Sequence, residues 1–272
     1  MTLREAMNRA AARLSETSET ARLDAELLMA HALGVDRGAL LLSHLDAPVP
    51  DSFEALLERR IAGEPIAYIL GRRDFWTIEI GVGPGVLIPR PESETLIEAA
   101  VEHFRARAPE RILDLGTGPG TLLLAALDQW QSARGVGVDR SEKALAIARV
   151  NAERLGLGER ASFQSSDWAN GLDGQFDLIL CNPPYVETEA ALARDILDWE
   201  PHEALFAGPE GLDDYARLAP ETPRLLAPDG IACFEIGAGQ EEAVRALFEA
   251  QGLGVSSRKD LAGHVRCLIL GH

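Results

Sequence analysis

The sequence has few of the residues that form covalent cross-links or metal centres. Only three of its 272 residues are cysteines, and it contains no Cys-x-x-Cys pair and no histidine cluster. These absences argue against a disulfide framework and against a zinc site. Cys181 and Cys233 lie in apolar stretches, where a free thiol usually behaves as a small buried hydrophobic group. We therefore expect no metal in the functional site.

Long apolar runs are also missing. No stretch approaches the roughly 20 apolar residues that a membrane-spanning helix needs. The first residues, Met-Thr-Leu-Arg-Glu, do not combine a basic segment with an apolar one, as a secretory signal would. We expect a cytoplasmic protein that does not contact a membrane.

Basic residues are scarce relative to acidic ones. The chain has 26 lysines and arginines against 43 aspartates and glutamates, which gives a net charge of −17. Most of this excess falls after residue 75. Proteins that bind nucleic acids normally present a basic surface, because phosphate contacts supply much of their affinity. The composition therefore predicts no stable binding to nucleic acid.

The most informative motif is the segment from Phe176 to Tyr185, which reads Phe-Asp-Leu-Ile-Leu-Cys-Asn-Pro-Pro-Tyr. Its apolar half predicts a strand that is buried on both faces. The two prolines end the strand in a stiff turn, at the edge where open α/β sheets bind their ligands. The Asn182 side-chain oxygen and neighbouring backbone carbonyls can accept both hydrogens of an –NH2 group, and the Tyr185 ring can stack on a flat group. The alternative is an ordinary loop that closes a strand.

A glycine-rich loop follows an earlier predicted strand. The strand covers residues 111–115, glycines stand at 116, 118 and 120, and a helix is predicted over residues 121–130. Glycines let the backbone turn sharply and approach a ligand closely. A second copy of the pattern, Gly81–Gly85, is followed by Val86-Leu-Ile-Pro-Arg-Pro, which predicts a hairpin or bend instead of a helix.

Two further strand ends carry acidic residues. Asp139 ends the strand after the glycine loop, where a carboxylate commonly accepts hydrogen bonds from ribose hydroxyls. It could also cap the helix that begins near Ser141. The next strand ends in Ser166-Asp167-Trp168. There Asp167 could accept from an adenine amino group, and Trp168 could cover the ring or serve as a core aromatic.

In this order and spacing, these elements resemble Rossmann-like S-adenosylmethionine-dependent methyltransferases. The Asn-Pro-Pro-Tyr element resembles the subgroup that methylates planar nitrogens, in DNA bases or in glutamine amides. Residues 64–76, 86–94 and 200–213 are similar to segments of the release factor glutamine methyltransferases (the HemK/PrmC family). The resemblance covers nearly the whole chain. It departs from the family pattern at Pro119, at Cys181 and at His264-Val265, and Pro119 has no N–H to offer the cofactor.

The resemblance implies an α/β fold, in which a mostly parallel seven-stranded methyltransferase sheet follows a small all-helical N-terminal domain. It implies S-adenosylmethionine as the cofactor and peptide-chain release factors as the protein substrate, with methyl transfer to the glutamine of their Gly-Gly-Gln loop. The cofactor-binding residues would be Asp114, Gly116, Thr117, Gly118, Pro119, Gly120, Asp139, Asp167, Trp168 and Asn182. The catalytic residues would be Asn182, Pro183 and Tyr185, and the substrate-binding residues would be these three with Pro184, Pro89 and Arg90.

Domain boundaries follow from the helical pattern of residues 2–70. Thr2-x-x-Glu5 and Asp51-x-x-Glu54 predict capping boxes, and Gly34 and Gly63 stand where helices should end. We predict a helical bundle over residues 1–74, which either docks the substrate or only packs. A β-hairpin linker is expected over 75–88 and the catalytic domain over 89–272. Further predictions are a helix over 213–226 and strands over 231–236, 255–257 and 267–270.

Three alternative functions remain at this point. An adenine-N6 DNA methyltransferase shares the Asn-Pro-Pro-Tyr motif but needs base flipping and a basic DNA-binding face. A nicotinamide oxidoreductase would leave Asn182–Tyr185 unexplained, and its loop is normally G-x-G-x-x-G. A non-catalytic scaffold is disfavoured by the complete set of site residues.

Overall fold

A computed structural model describes residues 2–272 in two compact units. One unit comprises Met1–Arg72, of which residues 2–72 are described, and the short segment Leu192–Trp199. The other comprises Arg73–Ala191 and Glu200–His272. Residues 192–199 thus belong to the first unit, although they fall within the catalytic domain predicted over 89–272. The functional division of the chain stays a prediction.

The helices are α1 Leu3–Leu14, α2 Ala21–Leu33, α3 Arg37–Ser43, α4 Ser52–Ile61, α5 Ile66–Leu70, α6 Glu94–His103, α7 Thr121–Gln129, α8 Glu142–Arg154, α9 Arg194–Trp199, α10 Asp213–Leu218, α11 Thr222–Leu225 and α12 Glu241–Glu249. The strands are β1 Arg72–Phe75, β2 Ile78–Gly81, β3 Arg111–Leu115, β4 Arg134–Asp139, β5 Ala161–Ser165, β6 Phe176–Cys181, β7 Leu226–Glu235, β8 Gly254–Lys259 and β9 Val265–Gly271. Among the described residues, no helix is long and apolar enough to cross a membrane.

The first unit is helical, as predicted, and its helices bury an apolar core that includes Leu3, Met7, Leu28, Met29 and Leu57. The capping box at its start is confirmed: the Thr2 side chain accepts from the Glu5 N–H, and the Glu5 side chain accepts from the Thr2 N–H. Gly34 ends α2 in a left-handed conformation with φ of 69°. That conformation suits glycine because it has no Cβ.

The second predicted capping box is wrong. Asp51 precedes α4 with helical dihedral angles (φ −61°, ψ −30°), and its side chain makes no capping hydrogen bond. An N-cap residue is normally extended, which lets its side chain accept from an N–H two or three residues later, and Asp51 is not extended. Gly63 lies one residue beyond Ala62, the C-cap of α4, and has φ of 93°.

The second unit is built on a seven-stranded sheet with the order β5-β4-β3-β6-β7-β9-β8. All neighbouring pairs from β5 to β7 are parallel, and only β9 runs against its two neighbours. The predicted mostly parallel sheet is therefore confirmed. The chain passes from β3 outward to β5 and then returns to place β6 on the other side of β3. Ligands bind at such a topological switch point in open α/β sheets.

The predicted helix over residues 213–226 is wrong, since the chain forms two short helices there, α10 and α11. Pro220 lies between them, and Pro223 stands in the first turn of α11. A proline lacks the N–H that a continuous helix needs, although it is tolerated in a first turn. Strand β7 then begins at Leu226, five residues before its predicted start.

Candidate active site

A cavity of about 750 Å³, partly open to solvent, lies at the carboxyl ends of β3, β4, β5 and β6. It is lined by backbone and side-chain atoms of Gly85, Val86, Leu87, Gly116, Gly118, Val138, Asp139, Arg140, Ser141, Ala144, Ser166, Asp167, Trp168, Asn182, Pro184, Pro201, Glu203, Ala204 and Asp214. Four carboxylates against one arginine make the lining acidic.

The glycine loop forms one wall of this cavity through its backbone. The N–H groups of Gly116 and Thr117 both donate to the Val138 carbonyl at 2.9 Å, which holds the loop against the end of β4. Gly116 has φ of 72°, and a Cβ there would lie 3.0 Å from the Trp168 ring. Glycine is therefore favoured beneath Trp168, because any other residue would be strained at this φ and would have to displace the ring by a few tenths of an ångström.

Asn151 anchors the glycine loop from α8. Its side-chain nitrogen donates to the Pro119 carbonyl at 2.8 Å and to the Gly81 carbonyl at 3.0 Å. Its oxygen accepts from the Gly81 N–H at 2.8 Å. This buried amide joins the loop to strand β2.

Asp139 lies at the end of β4 and faces the cavity. One carboxylate oxygen accepts from the Gly118 N–H at 2.9 Å, and the other accepts from the Ser141 N–H at 2.8 Å. Ser141 itself caps α8, since its hydroxyl accepts from the Ala144 N–H. Because a carboxylate has about four acceptor positions, Asp139 can still accept from two hydroxyls of a ligand.

Trp168 lines the cavity next to Gly116, in a conformation that is rare for a bulky residue. Its φ is 54°, and its indole N–H donates to Asp214 at 2.9 Å. Asp167 beside it accepts from Arg217 at 2.6 Å and is half-exposed. Asp214 thus fixes the ring that would cover a flat ligand.

The Asn182-Pro-Pro-Tyr turn follows β6 directly. Asn182 and Pro184 line the cavity, whereas Pro183 is buried behind it. The Asn182 side-chain nitrogen donates to the Ser93 hydroxyl at 3.3 Å, which leaves its side-chain oxygen as an acceptor. The Tyr185 carbonyl accepts from Gln240 at 3.0 Å, so the turn is held at both ends.

Behind the turn lies a buried acid, Glu235, at the end of β7. It is 1% exposed and accepts from the Tyr185 hydroxyl at 3.1 Å. Its backbone carbonyl accepts from Tyr215 at 2.7 Å. Burial raises the pKa of Glu235, and hydrogen bonding to Ser93 and Tyr185 partly offsets that rise.

Glu200 fixes the segment that carries Pro89 and Arg90. One oxygen of this buried carboxylate accepts from the Ile88 N–H at 3.0 Å, and the other accepts from Arg90 at 2.5 Å. Two sequence segments that are more than a hundred residues apart therefore meet at the cavity, one through Leu87 and the other through Pro201.

Asp114 lies beneath the glycine loop and is 1% exposed. One of its oxygens accepts from the Thr117 hydroxyl at 2.6 Å and from the Leu123 N–H at 3.2 Å. The other is buried without a partner. Burial raises the pKa of Asp114 to about 7, although both hydrogen bonds act to lower it.

The structure brings seven of the predicted site residues to the cavity wall: Gly116, Gly118, Asp139, Asp167, Trp168, Asn182 and Pro184. The others lie outside the lining set: Asp114, Thr117, Pro119, Gly120, Pro183, Tyr185, Pro89 and Arg90. The roles of both groups stay predictions.

Sequence reasoning missed several lining residues. The second glycine pattern does form a bend, as predicted, yet Gly85, Val86 and Leu87 line the cavity. A strand followed by a bend, which is where these residues lie, is not a pattern that indicates ligand binding. Arg140 and Ser141 directly follow Asp139, so the strand end itself could have indicated them.

The cavity suits S-adenosylmethionine. Its glycine backbone leaves room where a Cβ would strike Trp168, Asp139 can accept from a ribose, and the acidic lining favours a cationic ligand. Two family models match the chain, "PrmC N-terminal domain" over residues 5–71 and "Methyltransferase small domain" over residues 94–201. Fold, cavity and matches together define an S-adenosylmethionine-dependent methyltransferase.

Similar proteins of known name narrow the class. The chain is 40% identical over 277 residues to a release factor glutamine methyltransferase of Caulobacter vibrioides, covering 99% of this chain and 96% of the relative. It is 43% identical over 271 residues to one of Cereibacter sphaeroides, covering 97% and 95%. The chain belongs to the release factor glutamine methyltransferase family.

Solved structures share the fold at low identity. A methyltransferase of Pyrococcus furiosus matches with a TM-score of 0.53 at 17% identity, over 80% of this chain and 98% of that one. A 16S rRNA methyltransferase of T. thermophilus, solved with AdoMet and guanosine, matches with a TM-score of 0.54 at 22% identity, over 74% of this chain and 49% of that one. These likenesses concern the fold alone.

Proposed function

We propose that this protein transfers a methyl group from S-adenosylmethionine to the side-chain amide nitrogen of a glutamine in peptide-chain release factors. The acceptor is the glutamine of their Gly-Gly-Gln motif, and the reaction takes place in the cytoplasm, where translation ends. The observation that carries the proposal is Asn182, whose amide NH2 is tied to Ser93 while its oxygen is left to accept at the cavity. The names of the full-length relatives support the same substrate.

The cofactor would lie in the cavity that Gly116, Gly118 and Trp168 line. Asp139 would accept from its ribose hydroxyls, and Trp168 would cover its adenine, with Asp167 near the amino group. When bound, S-adenosylmethionine supplies an electrophilic methyl group on a cationic sulfur. Four carboxylates in the lining would favour that positive charge.

The acceptor amide needs alignment because its nitrogen lone pair is delocalised into the carbonyl. The Asn182 oxygen and the Pro183 carbonyl would accept its two N–H bonds. These two hydrogen bonds orient the nitrogen toward the methyl group and stabilise the positive charge that develops on it. Tyr185 would bound the amide plane, with its hydroxyl fixed by Glu235.

The helical unit would dock the release factor, and the hairpin β1–β2 would link it to the catalytic unit. The argument is that every group assigned to cofactor or amide lies in the second unit. Leu42 in α3 is 87% exposed and Leu23 in α2 is 41% exposed, which gives the helical unit apolar side chains that are available to a protein partner.

Mass spectrometry of a release factor incubated with the enzyme and cofactor tests the proposal. We expect one added methyl group on the glutamine of the Gly-Gly-Gln motif. A release factor with glutamate at that position should stay unmodified, because a carboxylate has no N–H for the acceptors to hold. Adenine-containing DNA serves as the competing substrate, and methylated DNA beside an unmodified release factor would contradict the proposal.

A further inference from the structure

The Glu235 carboxyl lies directly behind the motif that would hold the acceptor amide. Cys181 pairs with Phe234 in the parallel β6–β7 ladder, so Asn182 and Glu235 are the next residues on adjacent strands. Glu235 is 1% exposed and Ser93 is 3% exposed. Neither belongs to the cavity lining.

Hydrogen-bond polarity connects this acid to Asn182. Glu235 accepts from the Tyr185 hydroxyl at 3.1 Å, and the Ser93 hydroxyl lies close enough to lower the pKa of its carboxyl. An ionised carboxylate can only accept, so it draws the single hydrogen of the Ser93 hydroxyl toward itself. The Ser93 oxygen must then accept from its other neighbour, which is the Asn182 amide at 3.3 Å.

This polarity decides which end of the Asn182 amide faces the glutamine side chain that would receive the methyl group. With its NH2 group directed at Ser93, Asn182 presents oxygen to the site. The reversed amide would present N–H groups to the N–H groups of the incoming glutamine, and two donors cannot pair. One side-chain oxygen of Glu235 is also buried without a hydrogen-bond partner, which costs stability whether or not the carboxyl is ionised.

We propose that Glu235 is a positioning residue for methyl transfer, which fixes the orientation of the Asn182 amide through Ser93 and the position of the Tyr185 ring through its hydroxyl. The inference rests on the proposed function, because it assumes that Asn182 accepts from an amide. Glu235 touches neither cofactor nor substrate. Its charge matters more than its size, since glutamine has the same shape but carries both a donor and an acceptor.

The experiment compares wild type, Glu235→Gln, Ser93→Ala and the double variant in single-turnover methylation of a release factor at saturating cofactor. Glu242→Gln makes the same chemical change on the exposed face of α12 and is the matched control. S-adenosylmethionine affinity is measured for every variant by calorimetric titration.

We expect Glu235→Gln and Ser93→Ala each to slow methyl transfer by about tenfold to a hundredfold, the scale of one hydrogen bond to a charged group. Cofactor affinity should change less than about threefold, because neither residue lines the cavity. The double variant should be no slower than the slower single variant, since both break the same chain of hydrogen bonds. Glu242→Gln should match wild type.

A wild-type rate in folded Glu235→Gln would overturn the inference, and so would losses that multiply in the double variant. If Glu235→Gln fails to fold, a wild-type rate in Ser93→Ala overturns it and a slowed rate with unchanged cofactor affinity supports it. Wild-type enzyme that leaves the release factor unmodified would instead refute the proposed function, so the two failures are distinguishable.

Discussion

The Gly118 N–H donates to the Asp139 carboxylate at 2.9 Å, which joins the glycine loop to the end of the neighbouring strand. The same carboxylate also accepts from Ser141 at the start of α8. One side chain therefore fixes two backbone segments of the cavity before any ligand arrives. Such preorganisation reduces the entropy that binding must otherwise remove.

Replacing Asp139 should weaken the cofactor site. We expect Asp139→Ala to reduce S-adenosylmethionine affinity by about tenfold to a hundredfold, because the ribose loses a charged acceptor. Calorimetric titration measures the affinity, and Asp173→Ala, at an exposed loop position, is the control. Unchanged affinity in the folded variant would contradict the ribose assignment.

Asn182 should matter more for the chemical step than for binding. Asn182→Ala should slow single-turnover methyl transfer by about a hundredfold or more, by analogy with the loss of one preorganised hydrogen-bonding group at a reacting centre. Its cofactor affinity should fall less. Asn170→Ala, at an exposed position, should retain the wild-type rate. A wild-type rate in Asn182→Ala at saturating cofactor and substrate would rule out the proposed hydrogen bond between Asn182 and the glutamine amide.

Gly116→Ala should distort the wall of the cavity. The new Cβ would lie 3.0 Å from the Trp168 ring, so the indole must move. Gly171→Ala is the matched control, since Gly171 also has a positive φ (70°) but no atom within 4 Å of the added Cβ. We expect both variants to lose stability and only Gly116→Ala to lose cofactor binding and change the tryptophan fluorescence. Equal cofactor affinities in the two variants would contradict this expectation.

Asp114 should make stability depend on pH. Its pKa is about 7 in the fold against a usual value of 3.8, so between these values the folded state holds a proton that the unfolded state has released. Its contribution to stability is present below about pH 4 and is lost as the pH rises to about 7, by at most about 1.4 kcal/mol per pH unit. The variant Asp114→Asn lacks this pH-dependent contribution to stability.

Urea unfolding of wild type and Asp114→Asn at pH 5 and pH 8 measures the effect. The stability of the variant relative to wild type should increase between the two pH values. Asp173→Asn should show no such change. A difference that is the same at both pH values would indicate that Asp114 is already ionised at pH 5.

The docking role of the helical unit can be tested at Leu42. We expect Leu42→Asp to raise the KM for a release factor several-fold, because a buried contact of one leucine side chain contributes about 2 kcal/mol. The single-turnover rate at saturating substrate and the cofactor affinity should not change. Val150→Asp, at a 67% exposed position on α8, is the matched control. Equal KM values for the two variants would show that Leu42 does not contribute to docking of the release factor.

Local patterns in the sequence predicted the sheet and the strand ends that meet at the cavity. The burial of β6 and the glycine loop before α7 follow from residues that are neighbours in the chain. The two capping boxes show where such patterns stop being sufficient: Thr2 and Asp51 have similar sequence contexts, but only Thr2 has the extended backbone that a cap requires. Backbone conformation at a helix start depends on the preceding chain as well as on the cap residue.

Contacts between distant segments could not be predicted in this way. Glu200 reads as one more acid in an acidic chain until Ile88 and Arg90, more than a hundred residues earlier, are placed against it. Glu235 likewise acquires its partners only when β7 is paired with β6. No periodicity or spacing within a window of the sequence encodes such pairings.

Asn151 has a consequence for how the sequence of this protein can change. The glycine loop is held from outside, through the Pro119 carbonyl, and every residue type has a carbonyl. The hydrogen bond that holds the loop at position 119 therefore does not depend on which side chain stands there, although Pro119 itself is buried. It does depend on the side chain at position 151, since only an amide side chain offers two donors and an acceptor at the required distances. The backbone contact at position 119 thus places its side-chain requirement on a helix outside the loop, at Asn151.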